Sequence, residues 1–115
     1  MTGKALAPVK QNIETLLASL KVRDQTTELL DIIDVLTQVD AKLDSAKNPE
    51  ALINRLVNYV RSVALKGKLH FPTDEEKLLI DLSVFGQKAG LNSQYMADFS
   101  DKSQFYSLFE EVPRH

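Results

Sequence analysis

The sequence predicts an all-α protein, an antiparallel four-helix bundle with a short C-terminal helix or segment packed against it. Three observations carry the prediction. Four stretches place apolar residues at spacings of three and four, and none sustains strand alternation. The links between them are short and hold start and stop signals. Each stretch has a single apolar stripe, and four such stripes find cover only against one another.

The first helix is expected to open at Pro8, since proline suits the first turn of a helix. Val9, Ile13, Leu16, Leu17 and Leu20 form its stripe. The second is expected from about Asp24, as cap, to Asp44. Its stripe is Leu29, Ile32, Ile33, Leu36, Val39 and Leu43, and Glu28 and Asp31 favour its positive end. Asn48 as cap, Pro49 and Glu50 open the third. Leu52, Ile53, Leu56, Val57, Val60, Val63 and Ala64 make its apolar face, and Gly67 is expected to take the left-handed conformation that ends it. Thr73 and Glu76 have the spacing of a capping box for the fourth, whose stripe is Leu78, Leu79, Leu82, Phe85 and Ala89, with Gly90 as its stop. Gly86 inside this helix costs about 1 kcal/mol relative to alanine, which points to close approach of a neighbour.

Residues 1–115 read as one domain, with the bundle over 8–90 and a distinct segment over 91–115. That segment holds five of the eight aromatics: Tyr95, Phe99, Phe105, Tyr106 and Phe109. Asp101 is expected to cap a short helix reaching about Glu111, with a frayed tail after it. The aromatics either seal the bundle or stay exposed as anchors for a partner.

Composition narrows the function. Without cysteine the chain has no disulfide, no thiolate nucleophile and no cysteine-based zinc site. No apolar run exceeds three residues, so a cytosolic, soluble protein is expected. Residues 51–70 carry Arg55, Arg61, Lys66 and Lys68 and no acid. This basic stretch is too sparse for a nucleic-acid footprint but would suit the inner face of a membrane protein. No nucleophile elbow, phosphate-cradling loop or metal-ligand spacing appears, so neither catalysis nor a cofactor is expected. His70 admits a histidine phosphotransfer role, although it lies in a link and not on a helix face. A general adaptor that binds a partner helix is another alternative.

Two stretches carry a family resemblance. One is Leu52-Ile53-Asn54-Arg55-Leu56-Val57-Asn58-Tyr59. The other is Ala89-Gly90-Leu91-Asn92 followed by Tyr95-Met96-Ala97-Asp98-Phe99-Ser100-Asp101-Lys102-Ser103-Gln104-Phe105. Together they resemble the enterocin A immunity family, which protects producers of pediocin-like (class IIa) bacteriocins. The likeness is strong over about residues 50–105; over the first two helices only the pattern agrees. The resemblance implies a cytosolic bundle that is not an enzyme. It implies action from inside the cell on membrane components of the mannose phosphotransferase system loaded with bacteriocin. A monomer, with peripheral membrane association through that partner, is expected. On this reading Arg55, Arg61, Lys66 and Lys68 steer the encounter. Tyr95, Met96, Phe99, Lys102 and Phe105 form the specificity surface, and Asn58 and Tyr59 tie the C-terminal segment to the third helix.

Overall fold

The computed structural model describes residues 2–88, 101–107 and 109–115, with side chains from Leu6 onward. It is built from four helices, α1 (Thr2–Lys21), α2 (Thr27–Lys42), α3 (Pro49–Gly67) and α4 (Thr73–Gln87). Short 3-10 turns follow at Leu43–Ser45 and Lys102–Phe105. No strand occurs among the described residues.

Each helix is antiparallel to its neighbours, and four cross-links establish this. Lys10, early in α1, reaches Asp44, just past the end of α2. Glu28, at the start of α2, lies over Gly67, at the end of α3. Asn54, early in α3, meets Gly86, late in α4. Arg23, after α1, pairs with Glu75 at the start of α4. The order α1-α2-α3-α4 therefore closes into a ring, with α4 back beside α1.

The predicted stripes make the core. Ile13, Leu16, Leu20, Ile32, Leu36, Ile53, Leu56, Val60, Leu79 and Leu82 are fully buried. Each buried aliphatic side chain contributes about 1.5–3 kcal/mol of transfer free energy. Val35 and Tyr59 join them although the stripes omitted both, while Ile33, Leu52, Leu78 and Phe85 only flank the core.

The helix ends differ from expectation in several places. Helix α1 runs six residues beyond Pro8 to Thr2, because Leu6 is buried at 2% exposure and its packing offsets the one bond that proline removes. Thr26, not Asp24, caps α2, accepting from the Leu29 N–H at 3.1 Å. Asn48 caps α3 through the Ala51 N–H, as expected. At the other end of α3 the left-handed residue is Lys68, φ 55°, and not Gly67. The Leu69 N–H reaches Ala64 O at 2.8 Å and the Lys68 N–H reaches Leu65 O at 3.2 Å, which is a Schellman closure. Gly67 is small for another reason: a Cβ there would lie 2.7 Å from Glu28 Cγ.

The expected Thr73–Glu76 capping box does not form. Pro72 occupies the cap position with no side-chain bond, Asp74 accepts from the Glu75 N–H, and Glu76 turns to Arg61. Ala89 and Gly90 lie outside the described residues. Asp101 caps only the turn Lys102–Phe105, accepting from the Ser103 N–H, and no helix continues to Glu111.

Gly86 behaves as its position suggested. A Cβ there would sit 2.9 Å from both the N and Cα atoms of Asn54. That contact is with backbone, which yields little. Gly86→Ala is expected to destabilise by about 1–3 kcal/mol despite its better helix propensity, read as a lower urea midpoint.

The α1–α2 seam holds a perturbed carboxyl group. Burial, followed by the facing Glu14 carboxylate, raises the Asp40 carboxyl above its ordinary range, and its Oδ1 is buried with no hydrogen-bond partner. A raised folded-state pKa favours the protonated form, so the fold loses stability as pH rises through that value. Asp40→Asn should therefore raise the denaturation midpoint at about pH 7 and leave it nearly unchanged below about pH 4, the unfolded carboxylate range.

Candidate functional site

The site is a surface, assembled where the C-terminal segment returns to the bundle. Its anchor is Lys102, only 5% exposed. The ammonium donates to Asp31 Oδ1 at 2.8 Å, Asp34 Oδ2 at 3.0 Å and the Pro113 carbonyl at 2.6 Å. All three of its protons are thus used, and two carboxylates one helical turn apart on α2 share one cation.

Beside it Phe105 inserts against Tyr59 of α3, with ring centroids 5.4 Å apart and planes at 77°, the favoured edge-to-face arrangement. Burial and the nearby Asp31 charge push the Tyr59 hydroxyl far above its ordinary range, so it stays protonated. The tail is held too. Glu110 accepts from Lys42 at 2.6 Å, Gln38 at 3.0 Å and the Ser107 N–H at 2.7 Å, and these bonds lower its carboxyl to about 2. His115 Nε2 lies 2.6 Å from Asp34 Oδ2. The expectation of a frayed tail is corrected by these contacts.

Asp31, Asp34 and His115 place their ligand atoms within 4.8 Å of one another. The Lys102 ammonium is already bonded to both carboxylates, so the cluster reads as an ion-pair network and not as a metal centre.

The predicted site residues separate into three groups. Lys102 and Phe105, expected at a specificity surface, are instead interior. A side chain buried at about 5% offers little to a partner, and the role of both is to fasten the segment. Arg61 makes a two-pronged bond to Glu76, at 2.7 and 2.8 Å, which holds the guanidinium charged and the carboxyl below its usual range. It is therefore not a free steering charge. Arg55, Lys66 and Lys68 keep their charge available, with no ion pair among the described residues; Arg55 is half-buried and the two lysines are exposed. Tyr95, Met96 and Phe99 lie outside the described residues. Tyr59 does tie the segment to α3, through its ring.

Three grooves adjoin these residues. The largest, about 470 Å³, runs between α3 and residues 104–107, with Arg55 in its wall. A second, about 340 Å³, mixes Lys66 with Glu28 and Asp31. The third, about 440 Å³, lies over Ala64, Leu65 and Phe71 beside the Arg61–Glu76 pair. His70 is exposed at its edge, in the link after α3, and its carbonyl accepts from Arg23 at 2.9 Å.

The partners of three acidic residues escaped the sequence reading. Glu75 is 3% exposed, bonded to Ser19 and to Arg23 at 2.8 Å, and so locks α4 to α1. Its signal was its place in the acidic run Asp74–Glu75–Glu76, which looked like a helix start. Asp31, a counterion of Lys102 with Asp34, was assigned only to the positive end of its helix. No helix among the described residues is long and apolar enough to cross a membrane.

Comparison with known proteins adds the family. The sequence model of the bacteriocin immunity protein family matches residues 8–87. The match spans all four helices, the first two included, and stops before the second stretch of the resemblance. The chain is 69% identical over 80 residues to a probable leucocin-A immunity protein of Leuconostoc gelidum, covering 70% of this chain and 71% of the relative. It is 64% identical over 81 residues to a probable mesentericin-Y105 immunity protein of Leuconostoc mesenteroides, covering 70% and 72%. No solved structure matches the chain at a significant level.

Lys102→Ala tests the anchor. It leaves two carboxylates facing each other, each with about a quarter of its side chain in water. The expected loss is about 2 kcal/mol, below the cost of breaking a fully buried pair. Limited proteolysis should then cut residues 101–115 faster while the helices stay protected.

Proposed function

The chain belongs to the bacteriocin immunity protein family, whose work is protection and not catalysis, and from that premise we propose how it protects. Its target is a pediocin-like, pore-forming bacteriocin. It binds, from the cytosolic side, the mannose phosphotransferase permease that the bacteriocin has engaged, and it closes the pore. The observation that carries this reading is the likeness to two immunity proteins over 70% of the chain. The geometry supports it: the bundle uses its apolar stripes internally, so what remains for a partner is a surface with the cations Arg55, Lys66 and Lys68.

The mechanism is a shift of population. A protein that binds only the bacteriocin-loaded permease stabilises whichever of its states it fits better. Moving a mostly open population to a mostly closed one needs about 5.5 kcal/mol of differential affinity. A few well-placed anchors supply that at a protein interface.

Expression of this chain in a sensitive strain should raise the inhibitory concentration of at least one peptide in a pediocin-like panel. The tagged chain should capture the permease only from cells exposed to that peptide. Protection without capture would sink the permease route, and no protection against any member of the panel would sink the whole reading.

A further inference from the structure

The largest groove has a built character that the other two lack. Along α3 the residues Asn48, Ala51, Leu52 and Arg55 stand at i, i+3, i+4 and i+7. They form a stripe separate from the core stripe of Ile53, Leu56, Val57 and Val60. This stripe is one wall, and Gln104 to Ser107 form the other. Its half-buried apolar lining includes Ala51 and Leu52. The lining includes three bases, Lys42, Lys47 and Arg55, and no acid. Asn48, which caps the start of α3, lines the same space.

The molecule itself displays the kind of group this wall receives. Lys42, at its rim, holds the Glu110 carboxylate at 2.6 Å. Lys47 and Arg55 have no such partner among the described residues, although Arg55 is half-buried. A guanidinium that has shed part of its hydration gains most from a carboxylate it can bind with two parallel bonds. In the second groove Glu28 and Asp31 already oppose Lys66, and in the third Glu76 satisfies Arg61.

We infer that the trough between α3 and residues 104–107 is a docking site for an acidic amphipathic peptide segment of the partner protein. Its carboxylates meet Arg55 and Lys47, and its apolar side chains lie on Ala51 and Leu52. The inference rests on the reading that the chain acts by binding a protein, and it names the face and the chemistry of that contact.

The probe is a short fluorescein-labelled peptide of leucine and glutamate at helical spacing, titrated against the full chain by anisotropy. It should bind, and weaken as salt rises. Arg55→Glu and Lys47→Glu should each weaken it by about tenfold or more, a loss of about 1.4 kcal/mol. The glutamine version of the peptide should weaken similarly, and Lys77→Glu, exposed on α4, should change nothing. Circular dichroism checks each variant, and Arg55→Gln replaces any that unfolds. Failure of the glutamate peptide to bind, or equal binding by Arg55→Glu, overturns the inference. In the protection assay, loss of immunity in Arg55→Glu supports it. Full immunity in that variant overturns it and leaves the family-level function standing. If the unaltered chain fails to protect, that function falls and the peptide titration alone decides the trough.

Discussion

One ammonium group sets the arrangement of everything beyond the bundle. Lys102 sits where two carboxylates of α2 and a tail carbonyl converge, and it is nearly removed from solvent. Taking one charge out of water is costly unless every proton finds an acceptor. Here each does, so the geometry tolerates few alternatives. Phe105, three residues on, is then delivered to Tyr59, and residues 104–107 become the second wall of a trough on α3. The bundle supplies one half of that surface, and the clamp supplies the other.

The bundle itself needs no such device. Its stripes interlock by volume and spacing, and this is why they were readable from the chain. Ile13, Leu16, Leu36, Leu56 and Leu82 were assigned to a core on periodicity alone, and all are fully buried. The Asn48–Pro49 start of α3 is equally local, since cap and partner lie within four residues. Gly86 was legible because a helix interior penalises glycine, so its presence implied a close neighbour.

What resisted reading was whatever depends on partners distant in sequence. Lys102 looks like any surface base until Asp31 and Asp34, about seventy positions earlier, are brought beside it. Glu76 had two claims on it, the local capping box and Arg61 across the helix pair, and the charged partner won because it offers two parallel bonds. At the end of α3 the glycine signal was real but displaced by one: Gly67 answers to the Glu28 side chain above it, and Lys68 takes the left-handed turn. Arg55 and Lys66 lie on α3 and Lys68 just past its end, and only the fold separates these cations from Arg61.

The ring order has a temporal side. Neighbouring helices joined by short links meet soon after each is made, since closing a small loop sacrifices little chain freedom. The clamp from Lys102 back to Asp31 spans 71 positions and closes late in any such ordering. A nascent chain of this design thus has its four-helix interior in place before the outer wall of its trough, which is a late product of maturation.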